Sequence, residues 1–203
     1  MSDFSEQRAY AVHLARSDWV LHLDADERVS RKLWAEIKSA ISSGEADGFL
    51  IPRLNEVLGA ALRHGGWYPD YHLRLHRRIS GKWAGRVHET ATLDGRVRKL
   101  GEPIHHYGHP NLRVLLAKLD RYTAMEAQRT EHSMLALCVL ATVAPVCYFL
   151  YKYIVQRGFQ DGWRGLSAAL LLSIYRCVIY LKAIELKAIE RAALQAGPAD
   201  GGA

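Results

Sequence analysis

Ser17-Asp18-Trp19-Val20-Leu21-His22-Leu23-Asp24-Ala25-Asp26-Glu27 is the stretch on which the reading of the fold turns. Trp19–Leu23 is an apolar run suited to a buried strand, and it ends abruptly in three acidic residues. Upstream, from residue 10, lies a short amphipathic segment. Downstream, Ser30 can cap a helix whose apolar residues Leu33, Ile37 and Ile41 recur every fourth position. Ser42-Ser43-Gly44 stops that helix, and Phe49-Leu50-Ile51 reads as a second short strand. A strand, an acidic turn, a helix and a strand in this order predict an α/β unit. In such sheets ligands gather beyond the carboxyl ends of the strands.

The mixed pattern continues. His64-Gly65-Gly66 is a glycine-rich turn leading into Trp67-Tyr68-Pro69-Asp70. Tyr71, Leu73 and Leu75 then alternate with His72, Arg74 and His76, the period of a half-buried strand with its polar set facing water. Asp94-Gly95, between Thr90–Leu93 and Val97–Leu100, predicts a hairpin. Beyond Pro110 the texture changes. Leu112, Leu115, Leu116, Leu119 and Tyr122 share one face of a helix expected to run to about Arg129. Ser133 to Tyr151 holds no charge but is interrupted by Pro145, short of the ~20 apolar residues of a spanning helix. Gly165 to Tyr175 is shorter still. Arg157, Arg164, Arg176, Lys182 and Lys187 flank these runs, where anionic headgroups would lie. The expected organisation is an α/β domain over 1–110, an apolar and amphipathic helical region over 111–196, and a frayed tail over 197–203.

Composition narrows the partners. The 203 residues are 49% hydrophobic and 24% charged, which excludes a disordered chain. The net charge of +6 points to an anionic partner, yet no dense Lys/Arg run marks a nucleic-acid arm. A membrane surface or a phosphorylated substrate is expected, and no nucleic acid. Cys138, Cys147 and Cys177 lack paired spacing and read as buried thiols in a reducing compartment. MSDFSEQRAY has no apolar leader core, so the chain is expected to stay inside the cell.

Asp24 and Asp26, one residue apart at a strand's carboxyl end, can share a hard divalent cation, Mg²⁺ or Mn²⁺. Such an ion would neutralise a diphosphate leaving group. His105 and His106 are neighbours on a strand and point to opposite faces, so one can reach the ion; His106 is the candidate. Trp67 and Tyr68 can stack on a sugar face, and Gly65 and Gly66 let backbone approach a sugar closely. Arg74, with Arg77 and Arg78, can hold phosphate oxygens. Asp70 follows the glycine turn, and Glu89 follows His88 on the next strand-like segment.

The runs Phe4-Ser5-Glu6-Gln7-Arg8 and Ser17–Glu27, then Gly65–Asp70, Leu73-Arg74-Leu75, Val87-His88-Glu89, His105-His106-Tyr107 and Gly158-Phe159-Gln160-Asp161-Gly162-Trp163, follow one another in order. As a series they resemble family 2 glycosyltransferases of the GT-A fold, in the branch that adds glucose or a related sugar to lipopolysaccharide core. The resemblance implies a partial, Rossmann-like GT-A domain lacking the N-terminal part that binds the nucleotide. It implies a nucleotide-sugar donor, a lipopolysaccharide core or lipid-linked glycan acceptor, and inversion at the anomeric carbon, with Asp70 and Glu89 as rival general bases and His88 as a candidate substrate contact. It also implies a peripheral or monotopic place on the cytoplasmic face of a bacterial inner membrane. Two other readings stand beside it: a fragment inactive without a partner, and a metal-dependent phosphohydrolase using Asp24, Asp26, His88 and His106.

Overall fold

The structure, a computed structural model, describes residues 10–79, 81–84, 90–93, 95–109 and 111–196. Val87-His88-Glu89, Asp94 and the 197–203 tail therefore lie outside the described residues, as does Phe4–Arg8. The chain forms two compact units, one of residues 10–56 and 67–108, the other of residues 57–66 and 109–196.

The strands are β1 (Trp19–Leu21), β2 (Glu27–Val29), β3 (Gly48–Val57), the two-residue β4 (Ala60–Ala61), β5 (Asp70–Arg77), β6 (Gly81–Ala84), β7 (Thr90–Leu93), β8 (Val97–Lys99) and β9 (Ile104–His109). The first unit is mixed α/β around a curled sheet in the order β1-β5-β3-β9-β2, with β8 added to β3. β1 and β3 run antiparallel to β5, and β2 antiparallel to β9, while β8 lies parallel to β3. Helix α1 (Arg31–Ser43) covers this sheet. It begins and ends where its sequence dictates. Ser30 Oγ accepts a hydrogen bond from the Leu33 amide at 3.0 Å, and Gly44 closes the helix at φ 65°, a left-handed conformation that suits glycine. Leu33 and Ile37 drop into a core with Phe49, Ile51, Leu75 and Ile104.

Three expectations are corrected here. The short strand at Phe49–Ile51 is ten residues long, because Pro52 and Asn55 are buried within it instead of ending it. Thr90–Leu93 and Val97–Leu100 are not a hairpin. β7 pairs with β6 and β8 with β3, and Asp47 Oδ2 accepts from the Arg96 amide at 3.0 Å, drawing the chain after Gly95 toward β3. The polar set of β5 is divided: Arg74 and His76 are as buried as Leu75, and His72 is partly exposed.

In the second unit α2 (Leu112–Ala127), α3 (Met134–Leu150) and α4 (Gly162–Ala196) follow one another. Asn111 caps α2 and Ser133 caps α3. The helix does not stop at Pro145. It continues into a π-helical turn, Tyr151–Val155, and a 3-10 turn, Gly158–Asp161, leads into α4. Ala127, Leu137 and Ala183 make a small core. The two expected short apolar runs are thus corrected to two helices, Met134–Val155 and Gly158–Gln195, each long and apolar enough to cross a membrane. The thiols are corrected as well. Cys138 and Cys147 are exposed, because the apolar face they share with Leu135, Val139 and Val146 is uncovered.

Candidate active site

The acidic turn is built by backbone first. The Glu27 amide donates to Asp24 O at 3.0 Å, and Glu27 Oε2 accepts from the Asp24 amide at 3.0 Å, so the turn closes on itself. Register does the rest. Glu27 stands opposite His106 across the β2–β9 pair, and the Tyr107 amide donates to Asp26 O at 2.9 Å.

The carboxylates then divide. Asp24 and the buried Glu27 turn to Arg74 of β5, whose Nη2 lies 3.0 Å from Asp24 Oδ2 and 2.5 Å from Glu27 Oε1. A guanidinium neutralised this way inside the sheet holds the turn in place. Asp26 instead faces His106, with Oδ2 3.3 Å from Nε2. The other ring nitrogen, Nδ1, lies 2.7 Å from Asn55 Oδ1. An amide oxygen can only accept, so Nδ1 donates to Asn55, and Nε2 is left facing the Asp26 carboxylate. Gly108 completes this corner, since a Cβ there would lie 2.4 Å from His106 Nε2.

Asn55 has a second role. Its Nδ2 donates to Trp67 O at 3.3 Å, so one buried amide links His106 to the aromatic loop. Trp67 and Tyr68 are half-buried, and Tyr68–Pro69 is cis. Asp70, directly opposite Arg53 across β3–β5, receives Arg53 Nε at 3.1 Å and Nη2 at 2.8 Å, with His72 Nε2 at 3.0 Å. Burial pushes the Asp70 carboxyl up, but the contact with His72 and the charges of His72 and Arg53 outweigh it. They hold the carboxyl well below the usual range.

Behind β1, His22 and His76 stack with Nε2 atoms 2.8 Å apart, and His76 Nδ1 donates to Arg77 O. This pair fills the polar face of the sheet beside Arg74.

Gly65 and Gly66 belong to the second unit. Asp161 accepts from the Arg63 and His64 amides and pairs with His64 Nδ1 at 2.9 Å, while the Gly65 amide donates to Gln156 O. Gly158 and Gly165 pack so closely that a Cβ on Gly165 would sit 1.9 Å from Gly158 O. The Gly158–Trp163 motif therefore shapes the glycine-rich turn. Sequence reasoning missed Arg53, Asn55 and Asp161, since none stands in a recognisable spacing; only Asp161's place between two glycines gave a signal.

Of the expected metal ligands, Asp26 and His106 come together and Asp24 is engaged with Arg74. Among the described residues no group of three or more His, Cys, Asp or Glu side chains could hold an ion. A hard carboxylate oxygen and a backed imidazole nitrogen, 3.3 Å apart, do fit the protein's share of a Mn²⁺ or Mg²⁺ site whose other ligands come from substrate.

A mixed α/β unit with an acidic turn and a backed histidine, followed by apolar helices, is what the chain presents. No family model matches it. Over most of its length it is similar to curated glycosyltransferases. An uncharacterized glycosyltransferase of Rickettsia prowazekii is 23% identical, over 84% of this chain and 63% of its own length. One of Rickettsia felis is 21% identical, over 84% and 65%. The lipopolysaccharide core biosynthesis glycosyltransferase LpsC of Rhizobium meliloti is 26% identical, over 85% and 66%. The chain thus spans just under two thirds of the length of these relatives. These matches are consistent with a family 2-like glycosyltransferase.

Proposed function

We propose that this chain forms the metal and acceptor side of an inverting, family 2, GT-A-type glycosyltransferase. It would move a hexose from a nucleotide-diphosphate donor onto lipopolysaccharide core or a similar membrane-bound glycan. The observation that carries this reading is the Asp26–His106 pair, backed by Asn55 and joined through it to the Trp67 loop. Asp26 and His106 would hold Mg²⁺ or Mn²⁺, which when bound supplies positive charge against a leaving diphosphate. Asp24, Glu27 and Arg74 would fix the turn, and Trp67 and Tyr68 would stack on sugar. The low proton affinity of Asp70 favours Glu89 as the base, with Asp70 bracing β3 against β5 near the acceptor loop.

A place on the cytoplasmic face of an inner membrane goes with this reading. The two apolar helices, Met134–Val155 and Gly158–Gln195, form a hairpin that would lie in or against that membrane.

Calorimetry of UDP-glucose binding to the chain in detergent tests the site. Binding that requires Mn²⁺ and is abolished in Asp26→Ala is expected. Mn²⁺-dependent binding that survives Asp26→Ala would remove the metal assignment.

A further inference from the structure

Two cations of the helical unit share one aromatic ring. Lys152 projects from the π-helical turn, its Nζ 5.5 Å from the centroid of Tyr148, and Arg176 of α4 places Cζ 5.0 Å from the same centroid. Both side chains are half-buried. Among the described residues neither forms an ion pair with a carboxylate. Three carboxylates of the same unit are engaged elsewhere: Asp161 with His64, Asp120 with Lys182, and Glu126 with the Tyr175 hydroxyl at 2.5 Å.

Each cation gains from the ring face, but like charges gathered on one ring repel, and burial removes the water that would screen them. An anion bridging both relieves the repulsion. The surroundings say more about that anion. Gln156 Oε1 is buried with no hydrogen-bond donor. It lies beside Gly66, where a Cβ would stand 2.3 Å from Oε1 and 2.7 Å from Lys152 Nζ. Lys152 Nζ and the unsatisfied Gln156 Oε1 beside a glycine, with Arg176 on the same aromatic ring, suit a phosphate with a hydroxyl close by. Around them Val146, Leu150, Ile154 and Ile174 are exposed, which suits acyl chains better than water.

We propose that Lys152 and Arg176, gathered on Tyr148, bind a phosphate group carried by a membrane lipid, with Gln156 accepting from a neighbouring ligand hydroxyl. The site rests on the reading of the hairpin as membrane-lying. It puts a lipid phosphate beside the Gly65-Gly66 turn.

Co-sedimentation of the purified full chain with vesicles tests this, using phosphatidylcholine alone and phosphatidylcholine mixed with phosphatidate. The unmodified chain should bind both and prefer the phosphatidate vesicles. Lys152→Gln combined with Arg176→Gln should weaken phosphatidate binding by about twenty-five-fold, roughly fivefold per cation, and leave phosphatidylcholine binding unchanged. Lys187→Gln with Arg191→Gln, on the last turns of the same helix, should cost less than about fivefold. Equal losses from the two double variants would mean diffuse surface charge and overturn the site. Binding to both vesicles without preference would overturn the site and leave the membrane reading standing. No binding to either would remove both. Inorganic phosphate raising the melting temperature of the unmodified chain in detergent, but not of the double variant, would make the ligand a soluble phosphate and overturn the lipid source. Gly66→Ala, which keeps both charges and crowds Lys152 Nζ and Gln156 Oε1, should weaken the phosphatidate preference as well. Full preference in that variant would overturn the geometry.

Discussion

Arg74 in the sheet unit is sealed against Glu27 and Asp24, whereas Lys152 and Arg176 in the helical unit meet the ring of Tyr148 and, among the described residues, no carboxylate. The same contrast runs through both units. The sheet buries Glu27, Asn55, Arg74, His76 and His106 and pairs each with another group, leaving Nε of Arg74 without a partner among the described residues. The helices turn Leu135, Val139, Leu170 and Leu181 outward, and among the described residues Lys152 and Arg176 meet an aromatic ring and no carboxylate. One unit is organised around groups that must not move; the other presents a surface that something else must complete. Each unit should therefore fail for a different reason.

The largest effect should come from Arg74→Ala. Removing the guanidinium strands Glu27, 3% exposed, as a buried charge, a loss of ~3–5 kcal/mol. Urea unfolding followed by tryptophan fluorescence should show the sheet unit melting early, while the helical far-UV signal persists. Simultaneous loss of both signals at one urea concentration would break the division into two separately stabilised units.

Gly165→Ala attacks the other unit. The new methyl meets Gly158 O, a backbone atom that cannot swing aside, so ~1–3 kcal/mol is expected. Gly44→Ala makes the contrast. Nothing lies within 4 Å of its Cβ, and only the left-handed backbone opposes it, at ~1–2 kcal/mol. Thermal melts in detergent should rank Gly165→Ala as the more harmful to helical signal.

The same division explains what the sequence disclosed. Local rules were legible wherever chemistry and conformation sit in neighbouring residues: the Ser30 cap, the Gly44 stop and the Asp24–Glu27 turn all read correctly as local structure. Pairings decided by distant residues were not. Pro52 hid β3, and Asp47, far from Arg96 in sequence, decided where β8 goes. Alternation on β5 suggested a wet face because the partners that bury Arg74 and His76, namely Glu27 and His22, lie about fifty residues upstream. Pro145 suggested a break, but a proline in an apolar helix removes one hydrogen bond without supplying water to replace it, and the helix runs on. The Asp26–His106 contact followed the same rule: both residues stood out by type, whereas Asn55, which orients His106, carried no motif at all.

Asn55→Ala probes that hidden orienting role. With Nδ1 of His106 unheld, the imidazole should bind metal about ten- to a hundredfold more weakly. Asp26→Ala should remove the same affinity outright, so Mn²⁺ titrations of the two variants separate a ligand from its support. Equal abolition by both would make Asn55 part of the ligand set.

The smallest expected effect belongs to Asp70, and its sign follows from its surroundings. Arg53 and His72 hold its carboxyl well below the ordinary value, so the folded state favours the ionised form. That contribution is fully present above the unfolded value of about 4. It fades as the pH falls below it, and is gone once the depressed folded value is passed. Asp70→Asn should cost ~1 kcal/mol at neutral pH, since Arg53 and His72 are partly exposed and screened. The cost should shrink on acidification below pH ~4. The same variant separates bracing from base catalysis. If Asp70 only braces β3 against β5, transfer by Asp70→Asn falls severalfold and keeps its pH profile, whereas Glu89→Gln should lose about 10²- to 10⁴-fold. A collapse of rate in Asp70→Asn, with the acidic limb of the profile gone, would instead give Asp70 the proton. Its ion pair with Arg53 would then have to open as the acceptor arrives.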